Sequence, residues 1–192
     1  MQIIEAPKEP IAPDQPLPTA KAIRPDAKKR RSSGSDWADL PTVNPDHAQL
    51  AKHRITGHLG GGRAHHFDMM RSRILHQMRQ NNWRRIAITS PSAKCGKSTV
   101  ALNLALSFGR QTDLRTMLLE CDLRRPSILK MMGLAAPLDL AAALRGHQTI
   151  ADSACRIGTG LAFSASAQSA PDAAEIFCDA SFQQALSTMQ AA

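Results

Sequence analysis

Residues 90–99 read SPSAKCGKST. The closing letters GKST match the end of a nucleotide-binding loop, G-x-x-x-x-G-K-[ST], although Pro91 stands where the first glycine belongs. In such a loop, successive backbone N–H groups curl round a phosphate, and the following helix adds the partial positive charge of its N-terminus. Gly96 would let the backbone approach the phosphates, Lys97 would reach the β- and γ-phosphates, and the Ser98 hydroxyl would ligate Mg²⁺. The candidate nucleotide-binding residues are therefore Ser92, Ala93, Lys94, Cys95, Gly96, Lys97, Ser98 and Thr99.

A second stretch, MLLECDLRRP at 117–126, runs three apolar residues into Glu120, Cys121, Asp122 and Arg124. On a strand, Glu120 and Asp122 would point to the same side, because side chains alternate. At the C-terminal end of a parallel strand, two carboxylates sit where such sheets bind ligands. They would hold Mg²⁺ and accept a proton from an attacking hydroxyl. Arg124 would steady phosphate charge. Lys97, Glu120, Asp122 and Arg124 are the candidate catalytic residues, with Ser98 and Asp122 as metal ligands. A plainer alternative is an acid pair neutralised by Arg124 and Arg125, since structural ion pairs also gather acids.

These residues need elements to position them. FDMMRSRILHQMRQ at 67–80 places Phe67, Met70, Ile74 and Met78 at helical spacing. RRIAITS at 84–90 is short and β-branched and predicts a buried strand leading into the loop. KSTVALNLALSFG then has helical length, with Gly109 as a stop. RTMLLECDLRRP at 115–126 predicts a second strand, and GLAFSAS at 160–166 a third. LDLAAALRG at 138–146 and PDAAEIFCDASFQQALSTM at 171–189 predict helices. Strand and helix alternate, which implies an α/β domain with a mainly parallel sheet.

Upstream the composition changes. Eight of the twelve prolines precede residue 50, and KKRRSSGS at 28–35 adds a basic run. Too little apolar surface is available to offset the ordering entropy, so residues 1–63 are expected to be a disordered tail, with GHLGGGR as a hinge. The folded domain is expected over 64–192.

The chain carries a formal charge of +8. From Arg71 to Lys130 there are twelve Lys/Arg against three acids; from Met131 onward two basic residues face five acids. A basic centre suits nucleic acid, acidic headgroups or nucleotide phosphates. With 4% aromatic residues there is no base-stacking platform, so nucleic acid is not expected. No apolar run approaches the roughly 20 residues that span a bilayer, and MQIIEAPKEP is not a secretory leader. A cytoplasmic protein is expected, with KKRR a possible contact to the inner face of the membrane. The four cysteines form no CxxC pair, which disfavours zinc. Cys95 lies beside a helix N-terminus and Lys97, both of which favour thiolate.

TSPSAKCGKSTVALNLA followed by MLLECDLRRPSILKMMGL resembles the bacterial tyrosine kinases (BY-kinases) of capsule and exopolysaccharide biosynthesis. The resemblance continues through PLDLAAALRG and GLAFSASAQSAPDAAEIFCDASFQQAL and covers residues 67–190. It implies a P-loop NTPase-like three-layer α/β/α fold, MgATP as phosphoryl donor and protein tyrosines as acceptors. It also implies activation by a membrane polysaccharide co-polymerase, the regulator of chain length. By the same resemblance Lys97 binds phosphates, Ser98 and Asp122 hold Mg²⁺, and Glu120 replaces the family's first aspartate, which helps to activate the tyrosine hydroxyl.

Several features depart from the family. Its third motif, an apolar strand ending in D-x-P-P, is not found, which leads us to expect a C-terminally truncated chain, with weak or no turnover alone. The chain contains no tyrosine, so any tyrosine acceptor must be supplied in trans. Where the family's first helix carries E-x-x-R-x-x-R for self-association, this chain has His65, Asp68 and Arg71, and only Arg71 agrees; a homo-oligomer built on that helix is not expected. Lys94 occupies a turn position where the family has glycine. Two rival readings stand beside the kinase: a non-catalytic nucleotide-binding regulator of polysaccharide assembly, and a partition- or septum-type ATPase of the MinD/ParA kind. The second lacks support at Ser92, where those proteins carry a lysine.

Overall fold

The computed structural model describes residues 37–191, with side chains described as far as residue 187. The helices are α1 (His47–Lys52), α2 (Gly61–Gln80), α3 (Lys97–Gly109), α4 (Ile128–Met132), α5 (Leu140–Leu144), α6 (Ala173–Cys178) and α7 (Ala180–Ala191). The strands are β1 (Thr116–Leu119), β2 (Ala154–Ile157) and β3 (Leu161–Ser164). They form one sheet in the order β1-β3-β2. β1 pairs with β3 in parallel, Thr116 opposite Leu161, and β2 pairs with β3 antiparallel, Ala154 opposite Ser164. The α/β class holds, with one parallel and one antiparallel pairing.

Side-chain alternation along the strands builds two apolar faces. Leu118, Leu161 and Phe163 join Leu102, Leu106, Val43 and Leu50 in the largest core cluster. Met117 and Ala162 pack on the opposite face with Leu40 and Trp37. A third cluster forms where Leu123 meets Leu140 and Leu144 of α5 and Ile176 of α6. The long helix α3 ends at Gly109, as its sequence predicts, for a packing reason. A Cβ on Gly109 would lie 2.7 Å from Leu161 Cβ, and one on Gly160 would lie 2.5 Å from the Gly109 carbonyl. Two glycines thus let the helix end meet the strand start backbone to backbone.

Four expectations are corrected. Residues 84–90 form no strand: they are largely exposed, with Ile86 46% accessible. Their composition suits a strand, but β1 pairs only with β3, and no other strand among the described residues lies alongside to complete a ladder. The strand β2 was missed, because ACRI is too short and mixed to show a period. The single helix over 171–189 is two, broken at Asp179, whose extended backbone ends α6. Finally, the folded region begins well before residue 64. Val43, Leu50 and Ile55 are buried in the main core, and Thr42 bridges to Arg156 beside the sheet. The supposed hinge GGR opens α2. Residues 1–36 of the expected tail lie outside the described residues.

Asn103 explains how this proline-bearing segment is held. It is fully buried in α3. Its Oδ1 accepts from the N–H groups of Thr56 (2.7 Å) and Gly57 (2.9 Å), and its Nδ2 donates to the carbonyls of Arg54 (3.2 Å) and Thr99 (2.9 Å). One amide satisfies three backbone groups of the incoming segment, at Arg54, Thr56 and Gly57, and adds a bond to the Thr99 carbonyl of its own helix. Asp68 of α2 makes the adjoining tie, accepting from Arg71 (3.1 Å), Arg110 (2.8 Å) and the Ser107 hydroxyl (2.5 Å). Burial works against the Asp68 charge, yet the Arg110 and Ser107 hydrogen bonds prevail and hold its carboxyl below the usual range.

Candidate functional site

The loop from Ser90 to Gly96 runs into the N-terminus of α3. Ser90 Oγ donates to the Ser92 carbonyl (2.7 Å), and Ser92 Oγ lies 2.9 Å from Cys95 Sγ. Two successive features turn the chain into the helix. Lys94 adopts φ 62° and Gly96 φ 84°, both in the left-handed region. The turn does need positive φ at the Lys94 position, as the sequence comparison suggested, and a lysine fills it at a conformational cost of about 1 kcal/mol. At Gly96 the space a Cβ would occupy is open.

α3 carries no side-chain cap, and the backbone N–H groups of Lys94 to Ser98 donate to no group among the described residues. A 13-residue helix therefore presents uncapped donors at its positive end. Lys97 and Ser98 open that helix, half-buried, and Ser92, Ala93, Lys94 and Cys95 are exposed in the loop. Thr99 uses its carbonyl on Asn103, so the first turn is tied to the buried amide below.

Lys97 Nζ makes an ion pair with Asp122 Oδ2. This contact joins the first residue of α3 to the segment after β1, 25 positions on in the sequence. Asp122 is held in turn by Arg125 N–H at its Oδ1 (3.3 Å). Arg124 is exposed and has no partner among the described residues. The structure thus brings together Lys97 and Asp122, with Ser98 next to Lys97 in the chain.

Glu120 does not join them. Its N–H donates to the Ser164 carbonyl (3.0 Å), so the backbone still follows the ladder with β3. The side chain turns inward, 5% exposed. Its Oε1 accepts from Ser127 N–H (2.5 Å), Ile128 N–H (2.9 Å) and the Ser127 hydroxyl (3.2 Å). Glu120 therefore caps α4, and its Oε2 is buried without a partner. Burial pushes its carboxyl above the usual range, against the pull of the Ser127 and Ile128 hydrogen bonds. The expectation that Glu120 and Asp122 share one side fails because regular strand geometry stops at Leu119. Beyond it the chain turns, and only Asp122 meets the loop.

Sequence reasoning missed Asn103 and the capping role of Glu120. A lone asparagine within VALNLAL was a signal for the first. Nothing local announced the second, since Ser127 and Ile128 are brought to Glu120 by the turn between them.

A metal here would have few protein ligands. Among the described residues no group of three or more His, Cys, Asp and Glu is placed to hold an ion. Asp122 and the Ser98 hydroxyl are oxygen donors of the kind Mg²⁺ takes beside substrate phosphates. Also among the described residues, no helix is long and apolar enough to cross a membrane.

By sequence, the chain matches no family model and no curated protein. By structure it is similar to the chimerical protein CapA2B2, with a TM-score of 0.58 and 23% identity over 79% of this chain. The match spans 66% of CapA2B2, slightly under two thirds of that chain. At this identity the likeness shows a shared fold.

Proposed function

We propose that this chain binds MgATP on the loop 90–98 and serves exopolysaccharide or capsule assembly as a tyrosine-kinase-like, P-loop-type domain. The observation that carries the reading is the Lys97–Asp122 ion pair at the uncapped start of α3. A lysine, free N–H groups and a helix N-terminus converge on one point, where a polyphosphate would find charge and donors already in place. The fold shared with CapA2B2 and the motifs resembling BY-kinases support the same assignment.

The residues divide the work by their chemistry. Lys97 and the N–H groups of Lys94 to Ser98 would hold the phosphates, and Asp122 and Ser98 would hold Mg²⁺. Bound Mg²⁺ supplies charge neutralisation on the phosphate oxygens during in-line transfer. Asp122 holds the Lys97 ammonium at the loop before any nucleotide arrives. Arg124, exposed and without a partner among the described residues, would meet a phosphate or an acidic partner. A membrane polysaccharide co-polymerase is the proposed activator, and tyrosines of other proteins the proposed acceptors.

Glu120 favours a second reading, in which the chain binds nucleotide and regulates assembly without transferring phosphate. The carboxylate expected to activate the acceptor hydroxyl is spent on α4 and buried. One paired experiment separates the readings: ATP binding by wild type and Lys97→Ala, alongside phosphotransfer to a tyrosine peptide. Binding with transfer supports the kinase. Binding without transfer supports the regulator, and no binding by the wild type overturns both.

A further inference from the structure

Lys94, Arg124 and Arg125 are exposed, and none of them forms an ion pair among the described residues. The three flank one point. Lys94 precedes Lys97 by one turn of chain, and Arg124 and Arg125 follow Asp122, whose carboxylate pairs with Lys97. Acids are scarce around them. From Arg71 to Lys130 the sequence has only Asp113, Glu120 and Asp122. Glu120 is buried against α4, and Asp122 is taken by Lys97. Asp113 lies beyond the far end of α3, about 20 Å away over a 13-residue helix. That far end is balanced, because Asp68 pairs with both Arg71 and Arg110. The start of α3 has no such balance.

We propose that this face docks an acidic polypeptide segment, so that the acceptor tyrosine of the proposed reaction is one flanked by Glu or Asp. The inference rests on the nucleotide-binding reading above and adds the class of acceptor. An acceptor hydroxyl must meet the transferring phosphate in line, at the start of α3. The residues on either side of that tyrosine then cross Lys94, Arg124 and Arg125. Lys97 and the helix N-terminus answer the charge of the nucleotide, which leaves cations at the rim for the polypeptide. Complementary charge at a rim raises the encounter rate, and like charge rejects the wrong partner. Basic flanks would meet three cations with no acid to relieve them. Arg125 is the specificity-determining side chain that can be tested alone. Its backbone N–H holds Asp122, a bond that survives substitution, while its guanidinium is exposed and lies outside the phosphate-binding set.

The test is fluorescence anisotropy of labelled peptides titrated with the full 192-residue chain, in Mg²⁺ and a non-hydrolysable ATP analogue. Each peptide has one central tyrosine flanked by glutamates, glutamines or lysines. The glutamate peptide should bind at least about fivefold tighter than the glutamine peptide, with the lysine peptide weakest, and rising salt should shrink the difference. Arg125→Glu should weaken the glutamate peptide about threefold to fivefold and strengthen the lysine peptide. Arg63→Glu makes the same charge change at the start of α2, where Gly60 packs on Arg110 at the far end of α3, and should leave the order intact. Calorimetric titration of ATP into the same proteins keeps the two readings apart. A wild type that binds no ATP would overturn the nucleotide reading, and the acceptor inference with it. Normal ATP binding with equal affinity for the three peptides would overturn this inference alone. So would an acidic preference that Arg63→Glu reduces as much as Arg125→Glu. Binding to phosphatidylserine vesicles in place of the glutamate peptide would overturn it in favour of a lipid surface.

Discussion

Two neighbouring carboxylates just after β1, Glu120 and Asp122, lead to regions in different environments. The ladder with β3 continues through Glu120, whose N–H still reaches Ser164, and leads to a carboxylate sealed beneath α4. Asp122 leads instead to residues 84–98, which are largely exposed, whose backbone N–H groups donate to no group among the described residues, and whose main tie is the ion pair. One half is satisfied internally, and the other holds its polar groups in reserve. Free donors at a helix start are costly to bury and useful to a ligand, which is why the proposed binding site is placed in the second region. Substitutions in the closed half should therefore cost stability, and substitutions in the open half should cost binding.

The largest stability loss is expected at Asn103. Asn103→Ala removes four hydrogen bonds and strands buried N–H groups, for a loss of about 3 kcal/mol in denaturant unfolding. A loss under about 1 kcal/mol would mean that residues 54–57 are not held as described. Next comes Glu120→Ala, which uncaps α4 and should cost about 1–2 kcal/mol.

Glu120→Gln keeps an acceptor and removes the charge, so its effect shows in pH dependence. The folded-state pKa of Glu120 lies above its ordinary 4.5. Its contribution is therefore fully present below that value and is lost as pH rises through the folded value. Melts of Glu120→Gln against pH should lack this fall. Asp68 has the opposite sign: its lowered carboxyl stabilises above its ordinary 3.8 and loses that contribution as pH falls through the folded value. Asp68→Asn should flatten the acid limb instead.

Much of this was legible in the sequence. GKST located the start of α3, because Gly96 can take the left-handed turn from which the helix begins at Lys97. Gly109 and Gly146 marked helix ends through their lack of a side chain. The failures share a cause. The strand expected at 84–90 depends on a neighbour that local composition does not report, and Glu120 depends on a turn that brings Ser127 back to it. The buried segment from Val43 to Ile55 was hidden in proline-rich composition, since its anchor is an asparagine some fifty residues on.

The smallest effects belong to the open half. Lys94→Gly relieves a positive φ and should gain up to about 1 kcal/mol, seen as a small rise in Tm. Lys97→Ala breaks a partly exposed ion pair and should change stability by less than about 1 kcal/mol.

Its effect on binding is the central test. Titration of ATP with Mg²⁺ into wild type and Lys97→Ala, followed by calorimetry, asks whether loop 90–98 holds a nucleotide. The account predicts saturable binding by the wild type and a loss of at least about tenfold in Lys97→Ala, with unfolding curves that coincide. Equal affinity in the two proteins, or no binding in either, would contradict it.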